Sequence, residues 1–126
     1  MNVVDSSGWL EYFSDGPNAS FFARPLRKTS TLIVPTLSIY EVFKAVLRQR
    51  GESDALQAVA LMQQALVADL TPGISILAAH ISIEHRLPMA DSIILATART
   101  YKAVVWTQDS DFKKLDGVHY VAKKAG

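Results

Sequence analysis

The sequence predicts an α/β protein, a three-layer α/β/α sandwich with a central, mainly parallel sheet. Short apolar stretches typical of buried strands alternate along the chain with longer stretches whose apolar residues recur at helical spacing. This alternation places helices on both faces of a mainly parallel sheet. No internal repeat, low-complexity tract or linker interrupts the pattern, so we expect a single domain over residues 1–126.

Five short apolar stretches are predicted to be the strands of this sheet. The second of them ends at Pro35, because proline cannot donate a hydrogen bond to a neighbouring strand. In chain order the predicted strands cover residues 2–5, 31–34, 67–70, 103–107 and 118–121.

The predicted helices are recognised by residues that typically begin or end a helix. Gly51 is expected to end the longest one, while Thr71-Pro72-Gly73 and Pro88 are expected to begin the last two. The first four helices are predicted, in chain order, to be capped by Ser6, to follow Asn18, to be capped by Thr36 or Ser38, and to be capped by Ser53 or Asp54.

The composition restricts the possible functions. The chain contains no cysteine, which excludes disulfide bonds, thiolate metal ligands and a cysteine nucleophile, and fits a reducing cytoplasm. Residues 1–5 lack the features of a signal peptide, and the longest mostly apolar stretch, residues 55–70, is too polar to span a membrane. We therefore expect a cytoplasmic protein. Its formal net charge of +1 means that nucleic-acid binding would need a local basic patch.

Four acidic residues are candidates for one common site. Asp5 and Asp109 stand at or just beyond the ends of predicted strands, and central parallel strands bring their carboxyl ends to one edge of a sheet. Glu41 lies near the start of the helix after the second strand, which begins at the same edge. Asp91 lies in the first turn of the helix opened by Pro88. That helix follows another helix, so the pattern alone does not fix where Asp91 lies.

Each of these acids also has a purely structural interpretation. Asp91 and Glu41 would interact favourably with a helix dipole, and Asp5 could cap a helix or begin a turn. Asp109 could simply hydrogen-bond its own loop.

A polar stripe around Glu41 leaves two interpretations open. At helical spacing Glu41 shares this stripe with Ser38, Lys44 and Arg48, while its sequence neighbours are mostly apolar. The stripe is either a solvated helix face with a weak Glu41–Lys44 ion pair, or the lining of a cleft.

Several carboxylates gathered at one point need a counter-charge. A site made only of oxygen ligands suits Mg²⁺ or Mn²⁺, and such ions activate water and stabilise charge on phosphoryl oxygens. Histidine is not required for this chemistry. We interpret the three histidines, His80, His85 and His119, as structural or solvated.

Four sequence segments contain the candidate acids, and together they resemble a known family. They are Val4-Asp5-Ser6-Ser7, Ser38-Ile39-Tyr40-Glu41-Val42, the stretch LPMADSIILATA at residues 87–98, and Thr107-Gln108-Asp109-Ser110-Asp111-Phe112. The third is similar to the L-P-x-A-D-x-x-I-x-A-T-A segment of PIN domains of the VapC type, and the fourth to their T-x-D-x-D-F segment. Because all four occur in order between residues 3 and 121, the chain resembles this family over almost its whole length.

The resemblance implies a PIN-like fold and Mg²⁺- or Mn²⁺-dependent hydrolysis of RNA by the toxin of a toxin–antitoxin pair that inhibits translation. Asp5, Glu41, Asp91 and Asp109 would be both the catalytic acids and the metal ligands. Ser6 and Thr107 match hydroxyl positions that support the ligands or a metal-bound water. Asp111 either shares the role of Asp109 or orients the loop, and we favour Asp109 because it is nearer the strand end.

The resemblance also implies an RNA substrate, a cognate antitoxin protein and a homodimer.

Basic residues must offset the repulsion between RNA and the acids. The candidates are Arg24, Arg27, Lys28, Lys44, Arg48, Arg50, Lys113, Lys114, Lys123 and Lys124, each of which also fits an ordinary solvated surface. The aromatic residues of the first two helices are either core or a surface for a partner helix.

Two other functions are compatible with the same residues. A phosphatase could use Asp5 as its nucleophile, but the chain lacks a second acid two residues later, where such an enzyme would carry its acid/base group. A non-catalytic RNA- or protein-binding module could share the fold, since fold alone does not determine chemistry. The intact set of acids argues against such a module.

Overall fold

The computed structural model describes residues 1–125, in which five strands form one sheet and six α-helices cover it. The strand order is β3-β2-β1-β4-β5, and every neighbouring pair is parallel. The predicted fold class is therefore confirmed. The strands are β1 (Asn2–Val4), β2 (Leu32–Pro35), β3 (Leu66–Ala68), β4 (Val104–Thr107) and β5 (Val118–Tyr120).

The two faces of the sheet carry separate hydrophobic cores. Successive side chains of a strand point to opposite faces, so Val3 belongs to one core and Val4 to the other. The Val3 core is closed by α5 and α6, and the Val4 core by α1, α2, α3 and α4. The helices are α1 (Ser6–Phe13), α2 (Ala19–Leu26), α3 (Thr36–Arg50), α4 (Glu52–Met62), α5 (Pro72–His85) and α6 (Met89–Thr100).

Three predicted helix caps are wrong. Asp5, not Ser6, caps α1, because the Asp5 carboxylate already accepts a hydrogen bond from the Gly8 amide. Helix α3 begins directly after the extended residue Pro35, without a side-chain cap from the predicted Thr36 or Ser38. Helix α4 follows Gly51 immediately, so Ser53 and Asp54 lie inside its first turn.

Four predicted helix boundaries are correct. Helix α2 follows Asn18, and α6 begins directly after Pro88. The hydroxyl of Thr71 accepts a hydrogen bond from the Ile74 amide at 3.2 Å and caps α5. Gly51 ends α3 with a φ of 92°, a conformation that other residues adopt only with strain.

The topology selects one edge of the sheet for a site. From β1 the chain crosses first to β2 and β3 on one side, and later to β4 and β5 on the other. The strand order therefore reverses next to β1, and the carboxyl ends of β1 and β4 border the crevice where α/β proteins bind ligands. Across residues 1–125 we find no helix long and apolar enough to cross a membrane.

Candidate metal centre

Asp5 is held rigidly at the carboxyl end of β1. Its side chain is buried, and one carboxylate oxygen accepts hydrogen bonds from the Gly8 amide and the Ser7 hydroxyl, both at 2.9 Å. The other oxygen accepts a hydrogen bond from the Thr107 hydroxyl at 2.6 Å. Burial raises the pKa of Asp5 from 3.8 to about 6, although these hydrogen bonds pull the pKa down.

Thr107 connects the two central strands at this edge. Its fully buried hydroxyl donates to Asp5 and accepts a hydrogen bond from the Asp109 amide at 2.9 Å. One hydroxyl thus fixes a carboxylate on β1 and the first turn of the loop after β4.

Three aspartates come together beside this pair. Carboxylate oxygens of Asp91, Asp109 and Asp111 lie within 4.8 Å of one another. Asp109 also accepts a hydrogen bond from the Asp111 amide at 2.9 Å, so the hydrogen bond within its own loop is formed as well. Asp91, whose place the sequence pattern left open, reaches the group because α6 packs against β4 and β1.

The aspartates repel one another. Burial raises the pKa of Asp91 from 3.8 to about 7, and the negative charges of Asp109, Asp5 and Asp111 contribute to the rise. The charge of Asp5 therefore acts on Asp91, although Asp5 is not one of the three acids whose oxygens lie within 4.8 Å of one another.

Glu41 lies outside the group of three aspartates and is oriented by Ser6, the residue that follows Asp5. The Ser6 hydroxyl donates to a Glu41 carboxylate oxygen at 2.6 Å, which joins the start of α1 to α3. The Glu41–Lys44 ion pair is not present. Instead, Lys44 donates to the Tyr40 hydroxyl at 3.4 Å. Glu41, Lys44 and Arg48 line a shallow depression of about 210 Å³, while Ser38 is buried away from it.

Sequence reasoning missed a buried amide network next to Asp109. Asn18 does not cap α2 with its side chain. It donates instead to the Gln108 side chain at 2.9 Å and to the Ala122 carbonyl at 3.0 Å. The backbone N–H of Asn18 donates to the Glu11 carboxylate at 2.8 Å. The one sequence signal that could have indicated this network is Gln108, a polar residue directly after the buried strand β4.

The basic candidates do not gather at one place. Lys113 and Lys114 follow the aspartate loop directly and so lie near the acids, whereas Lys28 precedes β2 and lies towards the opposite edge of the sheet. Arg24 stacks on Trp106 at 5.9 Å. Arg50 and Lys123 line a cavity of about 480 Å³, which also reaches Ser7 and Gln108 beside the acids.

The donor set fits a hard divalent cation. All the candidate ligands are carboxylate oxygens, and their mutual repulsion is the charge arrangement that Mg²⁺ or Mn²⁺ relieves. Among residues 1–125 no arginine or lysine lies within 4.0 Å of these carboxylates to neutralise them. The residues present therefore suit a cation site.

Comparison with known proteins gives consistent results. The family model described as PIN domain matches residues 3–118. A solved toxin–antitoxin complex from Klebsiella pneumoniae is 19% identical, with a TM-score of 0.80 over 94% of this chain and 96% of that one. VapC20 of Mycobacterium tuberculosis, a sarcin-ricin loop cleaving toxin, is 17% identical, with a TM-score of 0.77 over 94% of this chain and 97% of that one. FitAcB from Neisseria gonorrhoeae is 22% identical, with a TM-score of 0.63 over 95% and 96%. No curated protein matches the chain by sequence.

Proposed function

The chain belongs to the PIN domain family, and we propose that it is a Mg²⁺- or Mn²⁺-dependent endoribonuclease that acts as the toxin of a toxin–antitoxin pair. The observation that carries the proposal is the group formed by Asp91, Asp109 and Asp111 beside the carboxyl ends of the two central strands. The raised pKa values of Asp5 and Asp91 support a site built for a cation.

Asp91, Asp109 and Asp111 would hold the cation, with Asp5 and Glu41 beside them. A bound divalent ion supplies positive charge that activates water and stabilises a phosphoryl oxygen during hydrolysis. The inclusion of Asp111 rests on its distance of less than 4.8 Å from the other two. We therefore propose Asp111 as a metal ligand alongside Asp109, whereas the sequence alone favoured Asp109 over Asp111.

Neighbouring hydroxyls position these acids. The Thr107 hydroxyl donates a hydrogen bond to one carboxylate oxygen of Asp5, and the Ser6 hydroxyl donates one to a carboxylate oxygen of Glu41. Such outer-sphere hydrogen bonds fix the orientation of carboxylate ligands and contribute to metal affinity.

The phosphatase alternative is disfavoured by the surroundings of Asp5. A nucleophilic carboxylate must reach the phosphorus atom, but Asp5 is 3% exposed and accepts three hydrogen bonds. These contacts suit a fixed ligand.

We propose a cognate antitoxin as the partner, a homodimer as the assembly, and the cytoplasm as the compartment. The structural relative from Klebsiella pneumoniae is a complex of a toxin with its antitoxin. On this chain the cavity of about 480 Å³ between α1, α3 and α4 exposes Leu10, Phe13 and Leu61, which would suit an antitoxin segment. Ile76, Ile83 and Met89 are exposed apolar side chains available to a second copy.

The test is cleavage of a structured RNA pool by the purified protein with Mg²⁺ or Mn²⁺ and with EDTA. We expect cleavage with metal, none with EDTA, and none by Asp91→Asn or Asp5→Asn. Asp116→Asn is the matched control, because Asp116 is exposed and precedes β5 at the opposite edge of the sheet. Cleavage retained by both site variants would refute the proposal. A folded wild type that cuts no RNA would favour the binding-module alternative.

A further inference from the structure

An exposed tyrosine stands on α3 directly before the candidate ligand Glu41. Tyr40 is 60% exposed, although a tyrosine ring would be stabilised by burial, and it lines the shallow depression that also contains Glu41. Lys44, one turn later, places its ammonium group 5.5 Å from the centre of the Tyr40 ring. The ring thus contacts Lys44 and still remains mostly exposed.

The basic residues of the same depression have no acidic partner. Within residues 1–125 the one ion pair shorter than 4.0 Å joins His85 to Glu84 on α5, so neither Lys44 nor Arg48 is neutralised. Tyr40, Lys44 and Arg48 follow one another at intervals of four residues, or about 6 Å along the helix. They form a strip that leads away from the acids.

We propose that Tyr40 stacks on an unpaired nucleobase of the substrate RNA, while Lys44 and Arg48 bind the adjoining phosphates. The inference rests on the proposed nuclease function and specifies which form of RNA it takes. In a duplex the faces of a base are covered by its neighbours, so a side chain can stack only on a base in a single strand, loop or bulge.

The charges around the strip support a nucleic acid as its occupant. The acids and their cation would take the scissile phosphate, and the backbone needs positive charge elsewhere because the net charge of +1 gives no general attraction. A ring beside unpaired cations is how proteins bind single strands without reading sequence. Tyr40 therefore positions the RNA and takes no part in the bond cleavage.

The experiment measures binding of a fluorescent single-stranded RNA of about 12 nucleotides, and of its duplex, to full-length protein carrying Asp91→Asn. We expect Tyr40→Ala to raise the Kd for the single strand about tenfold, and Tyr40→Phe, which keeps the ring, to change it by less than about twofold. Tyr101→Ala is the control, because Tyr101 is partly exposed at the opposite edge of the sheet.

Salt dependence tests the cations separately. Replacing Arg48 with alanine should lower the slope of log Kd against log salt by about 0.7, the value for one phosphate contact with a single strand. Arg99→Ala, an exposed arginine at the end of α6, should leave the slope unchanged.

The outcomes separate this proposal from the nuclease proposal. If the wild type cleaves RNA but Tyr40→Ala binds the single strand as tightly as its parent, stacking by Tyr40 is refuted and the nuclease stands. An equal loss for duplex and single strand refutes stacking too. If Tyr40→Ala changes the oligomeric state and not the Kd, the strip is a contact between copies. If the wild type neither binds nor cleaves RNA, both proposals fail.

Discussion

Replacing Asp91 with asparagine is expected to stabilise the metal-free protein at neutral pH while it abolishes cleavage. The pKa of Asp91 is raised to about 7 by burial and by the charges of Asp109, Asp5 and Asp111. Ionised Asp91 therefore lowers the free energy of unfolding above that pH. Asparagine has a similar size and no charge, so it removes this cost.

The sign and size of the effect follow from the pKa values. From about pH 4 to about pH 7 the folded protein holds more protons than the unfolded chain, so the free energy of unfolding falls as the pH rises through this window. The difference between 3.8 and about 7 corresponds to roughly 4 kcal/mol. Because Asp91 is only partly buried, solvent screens the repulsion, and we expect a gain of about 1–2 kcal/mol.

Urea denaturation in EDTA, followed by circular dichroism at about pH 5 and about pH 8, measures this gain. We expect the wild type to lose more stability between these pH values than Asp91→Asn, and the exposed Asp116→Asn control to behave as the wild type. Added Mn²⁺ should stabilise the wild type more than the Asp91 variant. If Asp91→Asn is destabilised at the higher pH, or shows the same pH dependence as the wild type, repulsion among these acids is not a cost to folding.

Three further substitutions test the surroundings of the acids. Thr107→Val should cost about 1.5–3 kcal/mol of stability in urea denaturation and should weaken cleavage, since Asp5 loses a charged hydrogen bond while the volume is kept. Ser6→Ala should leave the fold intact but lower metal affinity by roughly tenfold in a Mn²⁺ titration, because Glu41 loses its 2.6 Å donor. Gly8→Ala should lower the free energy of unfolding by about 1–3 kcal/mol, as its Cβ would lie 2.6 Å from Phe22 and Val4. Wild-type values for these variants would contradict the corresponding contacts.

The fold could be predicted because its signals are local and repeated. Each apolar strand and each helical stretch contributes independently to the same alternating order, so small errors in position do not change the architecture. The helix caps were harder, because several residues in a row are suitable. Ser6 and Asp5 both fit the start of α1, and the choice depended on which side chain reached the Gly8 amide.

The site was predictable only where strand direction determines position. Asp5 and Asp109 follow neighbouring parallel strands, and the topology rule brings them to one edge. Asp91 follows α5, so its place depends on how α5 and α6 pack on the sheet. The alternation of strands and helices does not determine this packing, and only the family resemblance assigned Asp91 to the site. The contact of Asn18 with Gln108 spans 90 positions and depends on the same kind of long-range packing.

Protons would compete with a divalent cation for the same oxygens in the proposed site. Asp5 and Asp91, with pKa values of about 6 and about 7, are protonated in part of the protein near neutral pH when no cation is present. A cation would have to displace these protons, so we expect its affinity to rise with pH and its binding to remove the repulsion that opposes folding. The hydrogen bonds from Thr107, Ser7 and Gly8 favour the ionised form of Asp5 and so reduce the rearrangement that cation binding would require. The same acids thus destabilise the metal-free protein, and a bound cation would remove that cost. Their number and burial therefore argue for a functional site and against an ordinary set of helix caps.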